Sequence, residues 1–235
     1  MKASKINLYE LIGLIIGDGS ILYNYRNKWH RLQISGDVNQ DKEYFDHLSN
    51  FIYKIANKKP TISKRKLILH GISNGYKLEL NLYHKRFVDY LVHELKLDYG
   101  DKTFTVRIPK RFLIWKYAKH VLRGLFESDG SLYFSKSKIT INHPSYPRIE
   151  MRTVSYRLAK QIYHILKKRK FNVQFMETRY HDFKIYLSGP AMLNKWIKEI
   201  GFSNQNSITK YLLWKKLGYY LPNITFEQRK KLLKT

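Results

Sequence analysis

Two stretches of this chain repeat each other. Gly13-Leu14-Ile15-Ile16-Gly17-Asp18-Gly19-Ser20-Ile21 corresponds position by position to Gly124-Leu125-Phe126-Glu127-Ser128-Asp129-Gly130-Ser131-Leu132, at an offset of 111 in 235 residues. The segments downstream of the two copies correspond as well. Residues 41–57 place Tyr44, Phe45, Leu48, Phe51, Ile52 and Ile55 on one helical face, and residues 156–168 do the same with Leu158, Ala159, Ile162, Ile165 and Leu166. A duplicated unit at half-chain spacing leaves few folds open.

Between the helices, apolar and polar residues alternate with the period of strands. Arg148, Glu150 and Arg152 share one face against Ile149 and Met151. Lys77, Glu79 and Asn81 alternate with Leu78, Leu80 and Leu82, and Arg31, Gln33 and Ser35 with Leu32 and Ile34. Each unit reads helix, two strands, helix, two strands, helix. The class is α+β, two pseudo-symmetric αββαββα repeats whose antiparallel sheets carry helices on one side and leave a polar face free. The expected boundaries are residues 1–107, a short linker at 108–112 around Pro109, and residues 113–235. The linker is not Gly/Ser-rich, so the halves are expected to pack together. Thr225-Phe226-Glu227-Gln228 predicts a capping box for a last helix, and Asn7 with Glu10 a weaker one for the first.

Charge narrows the partner. Forty-four Lys and Arg against 18 Asp and Glu give +26, in a chain hydrophobic and aromatic enough to fold. A folded protein that accepts this self-repulsion is expected to bind a polyanion. The basic residues fall on strands rather than on an amphipathic helix, which favours nucleic acid over a membrane surface. No apolar run is long enough for a transmembrane span. The basic start, Met1 to Lys5, lacks the cleavage site of a signal peptide. The absence of cysteine excludes disulfides and thiolate zinc sites and fits an intracellular protein, in a prokaryotic cytoplasm or nucleoid or in an organelle.

Small residues four apart, Gly13 and Gly17 in one copy and Gly124 and Ser128 in the other, let two helix backbones approach closely. Asp18 and Asp129 then meet at the two helix C-termini. A carboxylate there opposes the helix dipole at about 0.3–1 kcal/mol, and two carboxylates repel each other further. Shared divalent cations relieve both penalties, and Mg²⁺ favours carboxylate, water and phosphate oxygens. One Asp-Gly after a helix is an ordinary turn signal. Two identical Asp-Gly-Ser segments, each behind a small-residue face, point to a site.

Leu11-Ile12-Gly13-Leu14-Ile15-Ile16-Gly17-Asp18-Gly19 and Leu122-Arg123-Gly124-Leu125-Phe126-Glu127-Ser128-Asp129-Gly130 resemble the LAGLIDADG nonapeptide. Two such motifs in a basic chain resemble the single-chain LAGLIDADG homing endonucleases, over nearly the whole length. The resemblance implies motif helices paired at the interface, sheets forming a saddle over double-stranded DNA, and both strands cut across the minor groove to leave short 3′ overhangs. It implies a monomer in which Asp18 and Asp129, with Gly17 and Ser128 beside them, hold Mg²⁺, a site that Mn²⁺ or Ca²⁺ also fits. Departures are Ile16 at the motif's first acid and Arg123 at a small position; Arg123 is expected to face away from the seam.

Lys102 resembles a lysine that assists catalysis in the family, and an ordinary surface lysine is the alternative; Ser203–Ser207 carries no counterpart, so the half-sites are expected to be chemically unequal. Gln33 is a candidate for organising water or metal, or for pairing with adenine. Expected DNA contacts are Tyr25, Arg26, Lys28, Arg31, Gln33, Lys64, Lys66, Lys77, Lys136, Lys138, Arg148, Arg152, Arg179 and Lys184. Strands of about ten residues reach roughly 33 Å, about a duplex turn per half. The rival reading is a non-cleaving binder of the same fold, an intron RNA maturase or a regulator.

Overall fold

A computed structural model describes residues 6–24, 26, 29–69, 72–136 and 143–234. The first half runs through helix α1 (Leu8–Ile16), strands β1 (Gly19–Asn24) and β2 (Trp29–Asp37), helix α2 (Lys42–Ala56), strands β3 (Thr61–Leu69) and β4 (Ile72–Tyr83), and helix α3 (Lys85–Asp89), which continues as a π-turn over Tyr90–Glu94. The second repeats the order with α4 (Trp115–Asp129), β5 (Gly130–Ser135), β6 (Tyr146–Thr153), α5 (Tyr156–Lys168), β7 (Val173–Glu177), β8 (Phe183–Ser188) and α6 (Pro190–Glu199). Helices α7 (Gln205–Leu217) and α8 (Phe226–Lys234) complete the chain's C-terminal part. Helix α7 carries no periodic signal in the sequence, because its buried residues, among them Ile208, Thr209, Tyr211 and Leu213, are spread around the helix rather than along one stripe. The capping box before α8 forms both ways: the Thr225 N–H donates to Gln228 Oε1 at 2.8 Å, and the Gln228 N–H to Thr225 Oγ1 at 3.3 Å.

Both sheets are four-stranded and antiparallel, in the orders β1-β2-β4-β3 and β5-β6-β8-β7. Leu32, Ile34, Leu80, Ile149, Ile185 and Leu187 point into a core continuous with the helices. The register equates the halves residue by residue. Ser20 faces Gln33, which faces Asn81; Ser131 faces Glu150, which faces Tyr186. Gln33 and Glu150 therefore hold equivalent places, as do Arg31 and Arg148. The second sheet's strands are five to eight residues long, shorter than the ten expected. At ~3.3 Å per residue they reach at most about 26 Å.

Helices α1 and α4 touch backbone to backbone. A Cβ on Gly13 would sit 2.1 Å from the Val121 carbonyl oxygen, and one on Gly124 2.0 Å from that of Glu10. Neither neighbour is a side chain that can swing aside. Gly124→Ala is accordingly expected to cost about 3 kcal/mol or more, the upper range for overpacking, read as a lower urea midpoint; an unchanged midpoint would contradict this crossing. The linker is packed as well. Ile108 is fully buried, its N–H donating to Gln161 Oε1 at 2.8 Å and its carbonyl accepting from Gln161 Nε2 at 2.9 Å. Among the described residues no helix is long and apolar enough to cross a membrane.

Candidate active site and nucleic-acid interface

The helix crossing delivers Asp18 and Asp129 to one point. The side chain of Asp129 lies against Gly17, where an added Cβ would come within 2.7 Å of its Oδ2. The two carboxyl groups are close enough that each shifts the other's titration. Burial raises both, and the Asp18 charge pushes Asp129 further, to about 7. Burial and mutual repulsion therefore both work against two negative charges meeting there. A divalent cation relieves that repulsion, so this donor set fits the metal its spacing implied. Among the described residues no group of three or more His, Cys, Asp or Glu is placed to hold a metal ion. Two carboxylates leave most positions around Mg²⁺ to water and phosphate oxygens, its ordinary preference.

Lys102 closes the end of α1. Its Nζ donates to the carbonyls of Ile15, Ile16 (2.9 Å) and Gly17 (3.4 Å), the helix terminus where a cation is most favourable. Burial lowers its pKa to about 8, against the pull of Asp129, Asp98 and Asp18. Asp18, Asp129 and Lys102 thus form one charged cluster from three separated segments. Ser128 takes a different part: its hydroxyl bonds back to the Gly124 and Leu125 carbonyls at 3.2 and 3.0 Å, filling the space beside Gly17. Beside the pair, a cleft of about 350 Å³ is lined by Asp18, Asp37, Asp41, Glu127 and Ser128 among others. Acid is concentrated at the centre of a basic chain.

No protein-family model matches the chain. The homing endonuclease I-WcaI, solved bound to its DNA recognition sequence, superposes with a TM-score of 0.58 over 85% of this chain and 82% of its own, at 19% identity. I-DmoI, solved in complex with DNA and Mn, gives 0.55 over 82% and 94%, at 17% identity. The fold is that of the LAGLIDADG homing endonucleases. A DNA polymerase of Thermococcus hydrothermalis is 24% identical over 216 residues, 87% of this chain but 12% of the polymerase. The chain spans about an eighth of the length of the curated relatives it matches.

On this LAGLIDADG fold, the sheet faces turned away from the core carry Arg31, Gln33 and Lys77 in one half and Arg148, Arg152 and Lys184 in the other. Lys64 and Lys66 do not join them. Their partners are Leu78 and Tyr76, so both lie on the sheet's other face, and Lys64 Nζ sits 4.3 Å from the Tyr76 ring centre. A strand's period of two puts Arg65 on the polar face instead, opposite Lys77. Arg26 and Arg179 lie in turns and Lys136 follows β5. Tyr25, Lys28 and Lys138 lie outside the described residues.

Arg123 corrects an expectation. It does not face away from the seam: it is buried and crosses it, with Nη2 2.7 Å and Nε 2.8 Å from Glu10 Oε2 and Nη1 3.1 Å from the Ile200 carbonyl. A step of one residue along α4 from Gly124 leaves the tight crossing but not the interface. Glu10 consequently does not serve as the cap partner of Asn7, which alone accepts the Tyr9 and Glu10 N–H groups. It also accepts from Tyr44 at 2.9 Å and from Ser203. Glu127, at the position equivalent to Ile16, accepts from the Ser203 and Asn204 N–H groups (2.8 and 3.2 Å) and the Ser207 hydroxyl (3.1 Å). Burial nonetheless pushes it up to about 8.

Proposed function

We propose that this chain is a site-specific, double-strand DNA endonuclease of the homing type. The observation that carries the reading is the pair Asp18 and Asp129, brought together by the α1–α4 crossing at the middle of two basic sheets although burial works against charge on both. In this reading the two carboxylates hold Mg²⁺, or Mn²⁺ or Ca²⁺ in its place. The metal, when bound, would supply charge neutralisation at phosphorus and a more acidic water. Lys102 stands next to both carboxylates to balance the charge of a scissile phosphate. Gln33 and Glu150, equivalent in register but unlike in chemistry, make the half-sites unequal. Residues 1–107 and 113–235, joined at 108–112, each serve one half-site, and the chain acts as a monomer inside the cell.

The cut crosses the minor groove and leaves short 3′ overhangs. The shorter second sheet supports an asymmetric target. A match confined to 12% of a polymerase supports a module carried within a longer host protein, as in an intein. Basic sheet faces also suit intron RNA, the rival partner. Digestion of a randomised target library with Mg²⁺, with sequencing of the ends, separates the two: discrete double-strand cuts support the nuclease, whereas tight binding of a structured RNA with no cut site refutes it.

Metal binding has a pH signature. Asp129 holds its proton to about pH 7, so an ion must displace it below that value. Affinity for Mn²⁺, titrated calorimetrically, is expected to fall about tenfold per pH unit below 7 and to level off above it. Affinity independent of pH between 5.5 and 8 would contradict the assignment.

A further inference from the structure

Each DNA-facing sheet hides one glutamate. Glu79 on β4 and Glu150 on β6 have side chains only 4% and 9% exposed on faces that otherwise attract phosphate. A carboxylate in that position works against DNA binding unless it organises something else. Both organise the same thing. Glu79 Oε2 forms an ion pair with Arg65 Nε at 2.9 Å, and its other oxygen pairs with Lys77 Nζ at 2.8 Å. Glu150 Oε1 accepts from Arg152 Nε at 2.7 Å, and its other oxygen binds Lys184 Nζ at 2.5 Å and the Tyr133 hydroxyl at 2.8 Å. The arginine side chains remain 62% and 52% exposed while the lysines are drawn in.

An arginine held by Nε keeps its two terminal nitrogens as a forward-pointing fork. That fork matches the O6 and N7 acceptors of guanine in the major groove. Arg152 Nη1 faces Asp182 at 3.9 Å, beyond hydrogen-bond distance. The device is not a relic of the duplication. By strand register Glu150 is equivalent to Gln33, and Glu79 to Lys184. The same arrangement has arisen at two unrelated positions.

We propose that Arg65 and Arg152 each read a guanine, one in each half of the target, and that Glu79 and Glu150 are positioning residues that fix the two forks. The inference rests on the reading of these faces as DNA-binding. It does not depend on cleavage, so it is tested by binding selection from a randomised duplex library. The wild-type chain is expected to select a guanine at one position in each half. Arg65→Ala and Arg152→Ala each flatten one of those positions, losing a preference on the order of ten- to a hundredfold. Arg→Lys keeps the charge and the general affinity but loses the same preference. Glu79→Gln and Glu150→Gln weaken the preference while tightening non-specific binding, because a negative charge has left the face. That opposite movement is not what a merely structural role would give.

Arginine variants that weaken binding uniformly across sequences, with a shallower salt dependence, would overturn the proposal in favour of phosphate contacts. Unchanged guanine preference in the Glu→Gln variants would remove their positioning role. Selection of a sequence that is bound but never cut would sink the nuclease assignment and leave the guanine assignment standing. Failure to select any sequence would overturn both.

Discussion

Asp129→Asn is expected to end double-strand cleavage, by at least about a thousandfold, while making the protein more stable at pH 8. In the proposed mechanism the first effect comes from losing one charged donor of the carboxylate pair that would hold the metal. It should exceed the ~10²–10³ that one hydrogen-bond donor to a transition state contributes. The second comes from the raised pKa. Folded, Asp129 holds its proton to about pH 7; unfolded, it loses it near 3.8. Between those values the native state binds more protons than the unfolded state, so stability falls as pH rises and the full penalty is present above 7. Asparagine has no charge to bury, so its gain in melting temperature should be largest near pH 8 and vanish toward pH 4. Asp18→Asn should act in the same direction on both counts, with target binding largely kept. A variant that cleaves normally, or that loses stability at pH 8, would contradict both roles of the pair.

The second large effect lies at the seam. Arg123→Met strands Glu10 in a buried site with its main counter-charge gone, and removing one member of a buried pair costs about 3–5 kcal/mol. For a chain of this size that corresponds to a fall in melting temperature of roughly 6–20 °C. Glu10→Gln combined with Arg123→Met should recover most of the loss, since the amide oxygen still accepts from Tyr44 and Ser203 and no charge stays unpaired. Urea unfolding of the two variants checks this. A single variant within 1 kcal/mol of wild type would show that the pair does not hold the halves together.

What could be read in the sequence was what repeats or alternates. The duplication gave both halves, the period-two strands gave the polar faces that carry Arg31, Arg148 and Arg152, and the doubled Asp-Gly-Ser gave the site. The seam was illegible for a physical reason. Glu10 meets Arg123 and Ser203 across 113 and 193 residues, and nothing local marks a buried polar partner at such separation. Arg123 looked like a departure from a small-residue face when it is a cross-brace. Lys64 and Lys66 show a different limit: composition flags a basic strand, but a one-residue difference in phase decides whether Lys64 or Arg65 lies on the polar face. In the sequence Glu79 and Glu150 are only two more polar residues of alternating strands; their registered neighbours show what they hold.

Cleavage of both DNA strands through Asp18 and Asp129 is most directly tested by a target-library digestion run in parallel on three proteins. These are the wild type, Asp18→Asn and Asp129→Asn, each with and without Mg²⁺, scored for both cleavage and retained binding. Discrete double-strand cuts are expected only for the wild type with metal, and binding of the same sequences by all three. Cleavage that persists in either variant, or a wild type that binds a sequence and never cuts it, would contradict the two aspartates' role.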